Sequence, residues 1–227
     1  HEWLTVVREV AEAQGFFHWE LDFATVFACG GFDLQVGNPP WVRPDVAVET
    51  LLADGDPWWV LAKKPSVAAR NERMPRTLAR PGVLSTVLDG AAETEVLAEF
   101  ISDQTVYPVM EGRPDLYRAF MCQVWEHQSE RGIASLIHME THFTDAKTPG
   151  LRAAAYRHLR RHWQFINELQ LFDIQHQKIY GIHVYGTERE PSFLHATSLY
   201  QPETVLRSLT HDGSGEEPGF KDPHTGT

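Results

Sequence analysis

The chain has 227 residues, 42% of them hydrophobic, enough for one sizeable core or a core with an appendage. A formal net charge of −11 argues against a surface built to grip phosphates, because nonspecific nucleic-acid affinity rests on lysine and arginine. Two cysteines are too few for a disulfide framework or a zinc site, and no apolar run approaches about twenty residues, so a reducing cytoplasm is expected and membrane spanning is not.

Residues 1–14 predict a helix, with Trp3, Leu4, Val7, Val10 and Ala11 near 3.6 spacing. An aromatic lead-in, Phe16, Phe17, Trp19 and Phe23, precedes an apolar segment, Phe32–Gly37, that reads as a strand. That strand runs into Asn38-Pro39-Pro40-Trp41. Each proline fixes φ and removes a backbone donor, so the chain leaves the sheet rigidly with its carbonyls uncommitted. The Asn38 side chain and the Pro39 carbonyl can accept hydrogen bonds from one exocyclic amino group, and Trp41 offers a flat face to a heteroaromatic base. The same tetrapeptide also serves as an ordinary turn that ends a strand.

Residues 44–110 are irregular and mostly helical, broken at Pro57, Pro65, Pro75 and Pro81, and read as an insertion in which Trp58 and Trp59 pack. Residues 116–130 return to helical period, and the apolar run 132–139 after a glycine predicts a buried parallel strand. A basic helix is expected over 151–162, with Leu151, Ala154, Ala155, Leu159 and Trp163 on its core side. Residues 168–172 and 181–186 read as two strands paired in a hairpin around His176-Gln177-Lys178. The resulting organisation is a lead-in helix and strand (1–43), a helical insertion (44–112), a second core segment (113–200) and a polar linker (201–227).

Arg70, Arg73, Arg76 and Arg80 crowd one stretch, and Arg152, Arg157, Arg160 and Arg161 another. Both read first as solvated helix faces, with a DNA-backbone role open for the former. The i, i+4 pairs His138 with His142 and His158 with His162 lack a placed third ligand, so surface or packing histidines are expected and no metal.

In context, Gly30-Gly31-Phe32 through Asn38-Pro39-Pro40-Trp41 resembles the adenine-N6 DNA methyltransferases of large restriction–modification and phage-defence polypeptides, the gamma-type, type IIG and BREX-like enzymes. Asp115-Leu116-Tyr117-Arg118-Ala119-Phe120 resembles their Asn-Leu-Tyr-x-x-Phe helix, and 132–139 their following strand. The resemblance implies an α/β fold: part of a class I, Rossmann-like methyltransferase sheet with strands in the order 4-5-7-6, including an antiparallel hairpin. It implies methyl transfer from S-adenosylmethionine to a flipped adenine in double-stranded DNA, with Asn38, Pro39, Pro40 and Trp41 catalytic. Asp115 and Leu116 would border the cofactor, and Tyr117 and Phe193 the base, with Tyr200 behind Phe193. On this reading Trp41 stands substantially exposed in a cleft beside Asn38.

The chain departs from the family at three places. Asp115 stands where Asn is usual, and His138-Met139-Glu140 where a Val-Pro is common. The glycine-rich cofactor loop and the acidic residue ending the second strand are not in the sequence. The main cofactor loop and the DNA grip are therefore expected outside this chain, which reads as a piece of a larger enzyme, inactive alone. Rival readings are a protein-glutamine N-methyltransferase, which uses a similar loop on an amide nitrogen, and a non-catalytic DNA-recognition or scaffold piece.

Overall fold

The structure, a computed structural model, describes residues 2–112, 114–212 and 214. Three helices, α1 (Glu2–Gln14), α2 (Trp19–Asp22) and α3 (Ala24–Ala28), lead to β1 (Phe32–Gly37). Gly31 makes the entry possible. Its φ of +110° is one that L side chains rarely adopt, and an added Cβ would lie 2.5 Å from the His127 carbonyl oxygen. Four helices follow: α4 (Val48–Ala53), α5 (Trp58–Leu61), α6 (Val67–Leu78) and α7 (Val83–Ser102). Then come α8 (Leu116–His127), β2 (Gln128–Met139), α9 (Thr141–Thr144), α10 (Pro149–His158), β3 (Leu159–Ile166), β4 (Ile179–Tyr185), β5 (Leu194–Leu199) and α11 (Pro202–Thr210).

The protein is mixed α/β, with one five-stranded sheet in the order β1-β2-β4-β3-β5. β1 and β2 run parallel, β4 runs against both β2 and β3, and β5 lies parallel to β3. One row of the register crosses the whole sheet: Gly37, Leu136, His183, His162 and His195 face one another in turn. The carboxyl ends of β1, β2, β3 and β5 consequently share an edge.

Side chains alternate across a strand, so one face of this sheet takes the helices. Ala134 and Leu136 of β2, Leu159 of β3 and Tyr185 of β4 pack against Tyr117, Met121 and Val124 of α8 and Ala155 of α10. A second cluster, Ile101, Tyr107 and Met110 with Ala119 and Leu151, joins the end of α7 to α8 and α10. Leu52, Trp59 and Val83 form a third, separate cluster among α4 to α7.

The sequence reading differs from this fold in the second half of the sheet. The basic helix stops at His158, and Leu159 to Ile166 is a strand held on both sides, by β4 and by β5. Residues 168–172 are not a strand. The buried Asn167 amide accepts from the Phe172 backbone N–H (3.1 Å) and donates to the carbonyls of Phe172 (2.9 Å) and Ile174 (3.0 Å), bending the chain into a loop. The antiparallel hairpin is therefore β3 with β4, and β5 is an added strand. Where a polar linker was expected from residue 201, α11 follows; the remaining tail, 213 and 215–227, lies outside the described residues. Among the described residues no helix is long and apolar enough to cross a membrane.

Candidate active site at the carboxyl edge of the sheet

β1 ends where Pro39 and Pro40 can no longer donate to a ladder; Gly37 is its last paired residue. Pro39 is buried, while Asn38 and Pro40 are exposed. The Asn38 amide makes no side-chain hydrogen bond among the described residues, so its oxygen and nitrogen are both available.

The loop beyond is fastened at three points. The Trp41 Nε1–H donates to the Ile137 carbonyl at 2.9 Å. The Val42 carbonyl accepts from the Leu116 N–H at 2.8 Å. The Arg43 guanidinium lies 3.4 Å from the Asp115 carboxylate. Trp41 is half-buried and does not stand free: its ring lies on Tyr180 (centroids 5.8 Å, 28° apart) and against Phe172 (5.2 Å, 48°). The expectation of a largely exposed ring thus gives way to one whose edge and one flank are already held.

A cavity of about 400 Å³ opens between β1 and α8, with Asn38, Pro39 and Pro40 at one end and Val36, Phe120 and His127 among its walls. Its volume falls within the roughly 300–1,000 Å³ typical of small-molecule sites. Trp41 does not line it. Asn38 lines this cavity, and the chain reaches the aromatic group at Trp41 three residues further on.

Two residues assigned to a base pocket lie elsewhere. Tyr117 is fully buried, stacked on His138 at 4.8 Å, with its hydroxyl bonded to Thr141 Oγ1 at 2.8 Å. It is a core residue and presents no face to solvent. Phe193 precedes β5, packs on Tyr156 at 5.9 Å and lies at the opposite edge of the sheet. Four strand spacings, about 19 Å, separate β5 from β1. Tyr200 follows β5 on that same far edge. The rings beside Trp41 are instead Phe172, from the loop inside the hairpin, and Tyr180, neither singled out from the sequence. The sequence pattern reads Phe172 as part of a strand, whereas the Asn167 amide holds it in a loop that reaches Trp41.

Asp115 and Leu116 are committed to the scaffold. Asp115 begins α8 with its carboxylate against Arg43 and 3.9 Å from the buried Arg118, and Leu116 is tied to Val42 through its backbone. The crowded arginines are also paired. Arg70 meets Glu49, Arg73 and Arg80 meet Asp56, and Arg76 meets Glu72, all within the helical segment. Both cysteines are free, and burial pushes the Cys122 thiol up to about 12, which leaves it unreactive.

His138, His142, His162 and His183 are buried, not surface residues. His138 is satisfied: its Nδ1–H donates to the Met139 carbonyl (2.8 Å) and its Nε2 meets the Tyr185 hydroxyl (3.0 Å). Burial holds it neutral, its pKa down at about 3. Comparison with family models, curated proteins and solved structures gives no match for this chain.

Proposed function

We propose that the loop after β1 is the acceptor site of an amino-methyltransferase whose substrate is the N6 amino group of adenine in DNA. The observation that carries this reading is the exposed, unpartnered Asn38 amide at the carboxyl end of a parallel strand, beside the Trp41–Phe172–Tyr180 aromatic group. The order β1-β2-β4-β3, with β4 antiparallel to both neighbours, supports it, because it corresponds to the 4-5-7-6 order that the family resemblance implies. Asn38 Oδ1 and the Pro39 carbonyl accept the two amino protons, which turns the nitrogen lone pair outward and raises its electron density. An aromatic neighbour orients the base by stacking, worth about 1–3 kcal/mol per base.

The family uses S-adenosylmethionine as methyl donor, and the described residues do not fit it. Gly30 and Gly31 lie at the amino end of β1, the end opposite Asn38, with Gly31 closed against the His127 carbonyl, and the Asp115 carboxylate is held by arginines. The residues here fit the acceptor alone.

In the natural polypeptide, Asn38→Ala is expected to lower methyl transfer to an adenine-containing duplex by about 10²–10³, with cofactor affinity unchanged. A rate within about threefold of wild type sinks the assignment. One observation favours a second acceptor, a protein glutamine amide. The arginines of α6 and its carboxyl flank are all ion-paired, which leaves no free phosphate grip in that segment. Parallel assays on duplex DNA and on glutamine-containing peptides, following a labelled methyl group, separate the two.

A further inference from the structure

The helix-covered face of the sheet carries a group of donors that the methyl-transfer reading does not use. Glu140 follows β2, His162 lies in β3 and His183 in β4. One ligand atom from each lies within 4.8 Å of the other two. His162 and His183 are directly opposite in the register, with rings 4.5 Å apart.

The hydrogen bonding fixes what each donor offers. The His183 Nδ1 lies 3.1 Å from the Gly181 carbonyl, which can only accept, so the proton is on Nδ1 and the lone pair on Nε2. That Nε2 is fully buried and has no partner. Glu140 is aimed from both sides: Oε1 lies 2.5 Å from His162 Nε2, and Oε2 accepts from Gln164 Nε2 at 2.6 Å. An imidazole that donates one N–H to a carbonyl while keeping the other nitrogen bare is the outer support that metal-ligating histidines show.

Gly181 adds an independent observation. Its backbone is ordinary, so it is not there for conformational freedom. A Cβ at this position would lie 2.7 Å from His162 Nε2, 3.0 Å from Glu140 Oε1 and 2.6 Å from His183 Cε1. The absent side chain leaves open the space that the three donors face.

We propose that Glu140, His162 and His183 bind one divalent first-row transition metal ion, with zinc the best match to two imidazoles and a carboxylate. The ion takes the place of the hydrogen bond between His162 Nε2 and Glu140 Oε1, with the His162 ring neutral and its one proton on Nδ1. It joins three neighbouring strands just inside the edge that carries Asn38. The proposal stands whether or not methyl transfer is the activity.

The test takes the full chain, stripped of metal with a chelator, and titrates it with zinc chloride, with cobalt(II) as the spectroscopic probe. One zinc per chain, a raised thermal midpoint and ligand-field bands of a four- or five-coordinate cobalt ion are expected. Glu140→Gln keeps the size of the side chain but loses the carboxylate, and should weaken zinc binding about 100-fold or more. Gly181→Ala keeps all three donors and fills the space between them, and should do the same. His158→Gln should leave binding unchanged. Wild-type protein without a cobalt spectrum or a zinc-dependent thermal shift overturns the site. Zinc affinity that survives both Glu140→Gln and Gly181→Ala also overturns it, and assigns the metal to other histidines.

Discussion

Two buried polar groups in this molecule are built in opposite ways. Around Asp56, in the helical segment, nearly every polar atom has a partner. Arg73 reaches both carboxylate oxygens at 2.7 and 3.1 Å, Arg80 stands behind it, and Thr77 links Asp56 to Trp59 Nε1. Beneath the sheet, His183 Nε2 and both ring nitrogens of His142 are buried with nothing to bond. A buried polar atom without a partner is costly, so native proteins complete such groups or give them another use. The first cluster is a clasp. The second is shaped for something to enter it.

The largest test of that contrast is acid unfolding of the metal-free chain. Burial depresses His138 to about 3 and holds His142 and His183 well below 6.5. Below 6.5 the unfolded chain binds protons that the folded chain does not, so stability is lost as pH falls from 6.5 toward 3. His138 alone accounts for about 5 kcal/mol across that window, comparable with the whole stability of a typical domain. Asp56 runs over a different range. Arg73 holds its carboxyl down to about 2, so its contribution, present above 3.8, is lost only between 3.8 and 2. The histidines act first, and circular dichroism against pH should show unfolding complete before Asp56 protonates. A chain still folded at about pH 3 breaks the comparison.

Thr77→Val should cost about 2 kcal/mol in urea unfolding, since it strands Trp59 Nε1 and removes a bond to Asp56 without changing shape. His142→Leu is the counterpart with the smallest effect. Its nitrogens have no partners to lose, so the metal-free protein should change by no more than about 1 kcal/mol. Equal losses in the two variants would mean that the histidine is partnered after all.

The local signals were legible. Phe32–Gly37 reads as a strand and ends at prolines, because its evidence lies in adjacent residues. The α8 periodicity was equally plain. β3 was hidden because Leu159 and the arginines beside it extend the helical pattern of α10, whereas the ladders to β4 and β5 decide the conformation. The loop after it depends on one side chain, Asn167, whose amide replaces the strand pairing that 168–172 otherwise invites. The i, i+4 spacing does bring His138 and His142 together, rings 5.2 Å apart, as buried packing residues. It does not show His183, which stacks on His138 at 3.8 Å and on His162 at 4.5 Å across neighbouring strands, a juxtaposition that no short-range pattern records. Phe172 was misplaced for the same reason.

The position of β4 sets the order in which this chain can be finished. β2 and β3 flank it and never touch as neighbours, yet both are synthesised first. Until Tyr185 has left the ribosome, β2 and β3 each present an unsatisfied strand edge across a gap one strand wide. Sheet closure is therefore a late, non-local event on the nascent chain, and a translational pause before residue 179 would hold the protein in its most adhesive form.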